Sequence, residues 1–307
     1  MSSNEDPSHM SLRVALHGGP AWVEWARNTI ARACEVHCLD IEVAPLPESL
    51  TPAAIDAAGT SSHIVLLLEG PTQMVARRAI DSTFAEALRS AISTTASACE
   101  LARRYGAKAI EVDTSDVPPT YALLSLLGIR HCEENADLLV EAPDAGSPAL
   151  PPDASPDTID GCLAPLLHGA QLKVPLSLRW PREVFISGDQ PGMPLPVTIE
   201  IAGGARVLSY GPYFPLPTGK WRVVPMIGFS RQVGRMPFLI EVVCESIIHR
   251  AYFEAQHAGI YSMPFELELN SDRMGIPVEI RLVIQDAALE GAIALIEVGL
   301  EASALAV

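Results

Sequence analysis

Positive charge is scarce in this sequence. Only 21 Lys and Arg stand against 37 Asp and Glu in 307 residues, a formal net charge of −16. A phosphate backbone would be repelled at long range, which excludes nucleic acid as a partner. No apolar run approaches the roughly eighteen residues that a membrane helix needs, so no span is expected. No C-x-x-C pair occurs among the six cysteines, Cys34, Cys38, Cys99, Cys132, Cys162 and Cys244. Buried free thiols in a reducing compartment, the cytoplasm, are the expectation. The first ten residues, MSSNEDPSHM, are polar and acidic, so no signal peptide is expected, and residues 1–11 read as a disordered leader or a tag. Neither G-x-S-x-G nor a glycine-rich dinucleotide fingerprint is present, and His17, His37, His63 and His131 lack the H-x-x-x-H spacing of metal ligands. No cofactor and no metal are expected on these grounds.

What is present is apolar and unevenly charged. Hydrophobic residues make up 49% and charged residues 19%, enough to build a sizeable core and too ordered a mix for wholesale disorder. Residues 1–171 hold 23 acidic against 10 basic side chains, and residues 172–307 hold 14 against 11. Two surfaces of different charge imply two domains.

The first part alternates between strand and helix patterns. RVALH (13–17), VHCLDIEVA (36–44), HIVLLLE (63–69) and KAIEVD (108–113) read as strands. Helical spacing covers residues 21–34, 51–59, 82–106 and 120–128. Such alternation predicts a parallel-sheet α/β domain over residues 12–142. PDAGSPALPPDASP (143–156) then reads as a linker, and IDGCLAPLLHGA (159–170) as a short helix broken at Pro165, so 143–171 joins the two domains. Residues 172–307 change character. About ten short strand patterns alternate apolar with polar and are separated by turns such as SGDQPG and SDRMG, which predicts an antiparallel sandwich or jelly roll.

Three groups of residues invite a chemical reading. HGGP (17–20) lies between a strand and a helix, where either an anion-binding loop or a tight turn fits. Glu69 and Asp113 end two strands, where ligands of open parallel sheets bind. With His17, and with Arg77 supplying positive charge, they form a candidate catalytic set. Helix capping by Asp113 and a solvated Glu69 account for the same residues without chemistry. The stretch YGPYFPLPTGKWRV (210–223) is stiff, aromatic and poor in amide donors, so its proline-rich part is expected at a sheet edge or in a loop. Tyr210, Tyr213, Phe214, Trp221 and Arg222 are the candidate ligand-binding residues, with core burial of the aromatics as the competing outcome. Alternation sets Trp221, Val223 and Pro225 on one side and Arg222, Val224 and Met226 on the other.

Two resemblances attach to these segments. Over roughly residues 12–140, the strand, HGGPAW loop, helix, and VLLLEGP (65–71) before QMVARRAI and a long helix resemble bacterial sulfotransferase-like proteins. The family's basic phosphate loop is replaced by HGGPAW, and its phosphate-contacting arginine by Glu69. The resemblance therefore implies the fold and argues against the sulfonate donor. Over roughly residues 172–302, the G-P-Y-x-P-L-P-x-G-x-W-x-V pattern, FLIEVVCES and IPVEIRLVIQ resemble bacterial jelly-roll domains attached to glycan-handling proteins. This implies a carbohydrate-binding-like sandwich. Together they predict a non-catalytic protein that binds or positions a surface polysaccharide or its precursor. Two other readings stay open: an enzyme acting on a glycan through the α/β domain, and a docking subunit or homo-oligomer assembled through the sandwich.

Overall fold

The computed structural model describes residues 12–113, 118–129, 140–143, 148–172 and 174–302. The leader, His131, Cys132, and Thr114, Ser115 and Asp116 after the fourth strand lie outside the described residues. In chain order the first elements are β1 (Leu12–Gly18), α1 (Pro20–His37), β2 (Ile41–Pro45), α2 (Pro52–Ala58), β3 (His63–Leu68), α3 (Pro71–Arg78), α4 (Phe84–Tyr105), β4 (Lys108–Glu111), α5 (Pro119–Leu126), α6 (Pro156–Cys162) and α7 (Ala164–Leu172). The chain forms two compact units. One comprises Met1–Glu48, Ala53–Gly70 and Leu101–Gly146, and the other Ser49–Pro52, Pro71–Glu100 and Ser147–Val307.

The first unit is built on a parallel sheet of order β2-β1-β3-β4. β3 is the continuous apolar run of the sequence, and Ile64 to Leu68 are all buried, as a central strand covered on both faces requires. β2, at the edge, is only half-buried. Its core gathers Val14, Leu16, Trp22, Trp25, Ile30, Val65, Leu67, Leu123 and Leu124. The expected strand at 36–44 is shorter than read. Nothing breaks the helix before His37, so α1 runs on until Cys38 turns left-handed (φ 52°) and donates its amide to Cys34 O.

The second unit adds β5 (Ser177–Pro181), β6 (Ile186–Ser187), β7 (Ile199–Glu200), β8 (Arg206–Tyr210), β9 (Pro212–Pro215), β10 (Gly219–Phe229), β11 (Pro237–Cys244), β12 (Ser246–Glu254), β13 (Gly259–Ser262), β14 (Phe265–Leu269), β15 (Pro277–Ile284) and β16 (Ala292–Ala302). They form two six-stranded sheets. The first has the order β13-β10-β16-β5, with β14 on β10 and β7 on β16. The second has the order β12-β11-β15-β8-β6, with β9 on β15. All pairings between these strands are antiparallel. The sheets pack face to face. Phe229 of the first meets Phe238 and Phe253 of the second at centroid distances of 5.4 and 6.1 Å, and Trp180 meets Phe214 at 5.7 Å. The strand read at 261–269 is two strands, split at Met263–Pro264, because proline cannot donate to a ladder.

A single boundary at 143–171 is not how the chain is partitioned, because α3 and most of α4 cluster with the sandwich. The physical ties are specific. Arg89 Nε donates to Pro212 O (3.2 Å), and the buried Glu100 carboxylate accepts from Thr218 N (3.1 Å) and Oγ1 (2.7 Å). α3 packs on α6, and both α6 and α7 pack on β5, so the helical part of the expected linker belongs to this unit.

Candidate functional site

The alternation of β15 decides which side chains leave the core. Val278, Ile280, Leu282 and Ile284 are buried between the sheets, so Glu279 and Arg281 point the other way. On β11 the same period turns Glu241 outward, directly opposite Arg281 on β15 and Arg250 on β12. These side chains make a row across the outer face of the second sheet. Arg281 grips Glu279 with two hydrogen bonds of 2.9 Å, from Nε to Oε1 and from Nη2 to Oε2. Arg250 Nε donates to Glu241 Oε1 at 3.0 Å. The Tyr213 hydroxyl donates to Glu279 Oε1 at 3.1 Å. At the far end Tyr252, two residues from Arg250 and on the same face, is 67% exposed. The row therefore alternates acceptor and donor, with an aromatic ring at each end.

Tyr213 is held on several sides. It sits in the left-handed region (φ 67°), a costly place for a residue with a Cβ. Arg89 lies 5.9 Å from its ring centroid, and Tyr210 packs edge-on at 6.3 Å. Burial first, and then the neighbouring Glu279 carboxylate, push its phenol up to about 12. The hydroxyl is thus a fixed donor at neutral pH. The hydrogen bonds to Glu279 are also the main cause that raises Arg281 further above its ordinary value.

The expected ligand residues divide. Tyr210 is half-buried and Tyr213 belongs to the row. Phe214 and Trp221 do not belong. They are 2% and 1% exposed, Phe214 against Trp180, and Trp221 with its indole N–H donated to Pro217 O at 3.0 Å. Both fill the space between the sheets, which buries Trp221 and leaves Phe214 only as a wall of the pocket beside Tyr213. Arg222 is exposed but lies on the first sheet, paired with Glu301 at 3.1 Å, away from Tyr213. Sequence reasoning missed Glu241, Arg250, Tyr252, Glu279 and Arg281. The signal was a charge at alternate positions in FLIEVVC, HRAYFE and PVEIRLVI.

Next to Tyr213, the second unit has a pocket of about 320 Å³ whose walls include Phe84, Arg89, Glu183, Pro194, Pro212 and Phe214. The loop between β9 and β10 is kept in place by the Glu100–Thr218 bonds.

Each member of the candidate catalytic set has its own place in the fold. His17 and Glu69 are buried at the ends of β1 and β3. Glu69 Oε2 lies only 3.0 Å from where a Cβ on Gly19 would stand, and Gly19 is the N-cap of α1. A carboxylate of the protein itself thus faces that helix terminus. Both Asp113 oxygens accept from Gly70 N at 2.9 Å, so this side chain braces the turn after β3. Arg77 lies on α3, in the other compact unit. A pocket of about 300 Å³ in the first unit is lined by Gly18, Pro20, Val23, Arg27 and Pro47, among others, and by none of His17, Glu69 and Asp113. Among the described residues no three His, Cys, Asp or Glu side chains gather as a metal site.

No protein-family model and no curated protein matches the sequence. Among solved structures, similar chains include the CBM36-1 domain of a multidomain xylanase from the hindgut metagenome of Trinervitermes trinervoides, at 10% identity and TM-score 0.28, over 42% of this chain and 99% of that one. The xylan-binding module CBM15 aligns at 11% identity and TM-score 0.31, over 43% of this chain and all of that one. An adhesin domain of Lys-gingipain from Porphyromonas gingivalis W83 aligns at 12% identity and TM-score 0.31, over 41% of this chain and 98% of that one. Scores of this size leave the architecture to be read from the strand order and the function from the side chains.

Proposed function

We propose that the sandwich binds carbohydrate on the outer face of its second sheet and that the protein is a non-catalytic, glycan-associated factor. The observation that carries this reading is the row Tyr213–Glu279–Arg281–Glu241–Arg250, with Tyr252 beyond it. A sugar presents apolar C–H faces to aromatic rings and hydroxyls to carboxylates and guanidinium groups, and this face offers both. Because each charge in the row has an opposite neighbour, a neutral polysaccharide or its precursor suits it better than a polyanion.

We read the sandwich as a jelly roll. The support is the strand order, in which β16 enters between β5 and β10 while β15 enters between β8 and β11, so the last strands close the middle of both sheets. The α/β unit we take as a degenerate transferase-like scaffold, because Glu69 faces the helix terminus that a phosphate-binding relative would keep for its ligand. A reducing, cytoplasmic setting fits the cysteines Cys34, Cys38, Cys99, Cys162 and Cys244, none of which forms a disulfide among the described residues. No helix among the described residues is long and apolar enough to cross a membrane.

The test is a glycan-array screen of the full chain beside Tyr213→Ala and Tyr252→Ala. Binding that both folded variants lose by about tenfold or more supports the reading, the size expected when one aromatic platform is removed. Failure of the wild-type chain to bind any glycan, or binding indifferent to both changes, overturns it.

A further inference from the structure

β12 ends its sheet: β11 is its only strand neighbour among the described residues. Nine residues, SIIHRAYFE, leave an edge without proline or lysine, the devices that usually blunt such edges. A bulge opposite Val242 and Val243 distorts only the end near Ile247, and the register from His249 to Glu254 is regular. Arg250, Tyr252 and Glu254 are exposed along this regular part and share the outer face.

We propose that this edge pairs with β12 of a second copy, as a two-fold antiparallel strand pair centred on Tyr252. In such a pair the residue on the axis faces itself, and the residue two before it faces the residue two after it. Centring on Tyr252 sets Arg250 opposite the partner's Glu254, and the symmetry repeats the pair. The two Tyr252 rings meet at the centre, and Ala251 faces the partner's Phe253 on the inner side. Centring on Arg250 would oppose two guanidinium groups, and centring on Glu254 two carboxylates. The sequence of the edge thus selects one register by charge. An isologous contact of this kind closes at two copies.

The experiment is sedimentation velocity on the full chain across the micromolar range, with Arg250→Glu, Glu254→Arg and the double reversal R250E/E254R. The wild type is expected to dimerise. Each single reversal turns two attractive pairs into two repulsive ones and should weaken dimerisation by about tenfold or more. The double reversal should restore it, and an equimolar mixture of the two single variants should form a heterodimer. That mixture uses the same single-variant chains, so misfolding cannot imitate the rescue. A wild type that stays monomeric throughout overturns the proposal, as does a dimer unmoved by the reversals or single variants that the mixture does not rescue.

Discussion

The Tyr213 hydroxyl reaches Glu279, 66 residues along the chain, with a bond of 3.1 Å. This bond ties the proline-rich strand β9 to its neighbour β15, and it is the most direct handle on the candidate site. Tyr213→Phe keeps the ring and removes the bond. The expected cost is about 1–2 kcal/mol, because a donor to a charged acceptor is lost while Arg281 still holds the carboxylate. Urea unfolding of the variant against wild type measures it, and an unchanged midpoint would remove Tyr213 from the network.

The same phenol predicts a pH dependence. Its folded value, about 12, lies above the ordinary tyrosine range, so the folded chain holds this proton when the unfolded chain has released it. The contribution to stability is fully present below about pH 10 and is lost as the pH climbs toward 12. Phenolate absorbance should show a late step from Tyr213, and Tyr213→Phe should abolish it.

Trp221 offers a contrast. Its burial predicts that Trp221→Ala destabilises the second unit by about 3–5 kcal/mol, the usual range for a large aromatic removed from a core. Tyr252→Ala, exposed in the single chain, should shift unfolding of the monomer at high dilution by less than about 0.5 kcal/mol while still weakening any glycan bound. Denaturant curves and binding isotherms on the two variants separate scaffold from site. Equal destabilisation by both would contradict the placement of the two rings.

The approach of Glu69 to Gly19 supports a double-mutant cycle. Gly19→Ala sets a Cβ about 3.0 Å from Glu69 Oε2, a crowded contact. A destabilisation of about 1–3 kcal/mol is expected, as for other overpacked sites. In a Glu69→Ala background the same change should cost clearly less, because its obstacle is gone. Additive effects would show that the carboxylate does not set the space at that helix start.

Much of the second unit was legible in the sequence because its strands alternate. That Trp221, Val223 and Pro225 share one side and Arg222, Val224 and Met226 the other follows from period two alone; which side faces the core does not, and the structure buries the first set more deeply than the second. Exposure was less legible. A proline-rich aromatic stretch has the same composition whether it displays its rings or buries them, and what buries Phe214 is Trp180, a residue distant in sequence. Tyr213 escapes simple alternation because its backbone turns left-handed. The row of Glu279, Arg281, Glu241 and Arg250 needs the register of three strands, which no local pattern contains. In the first unit the strands were clear, but the use of Asp113 as a brace on Gly70 depends on the neighbouring strand end.

α4 bears on how this protein can be cut and recombined. Arg89 and Glu100 of that helix serve Pro212 and Thr218, yet they precede them by more than a hundred residues. A fragment beginning at the first strand of the sandwich would carry the acceptor Pro212 O and the donor groups of Thr218 but not their partners. The sandwich is therefore not a cassette that can be lifted out or exchanged at a single splice point. Any shuffled or truncated version must bring residues 71–100 along, or replace what they supply.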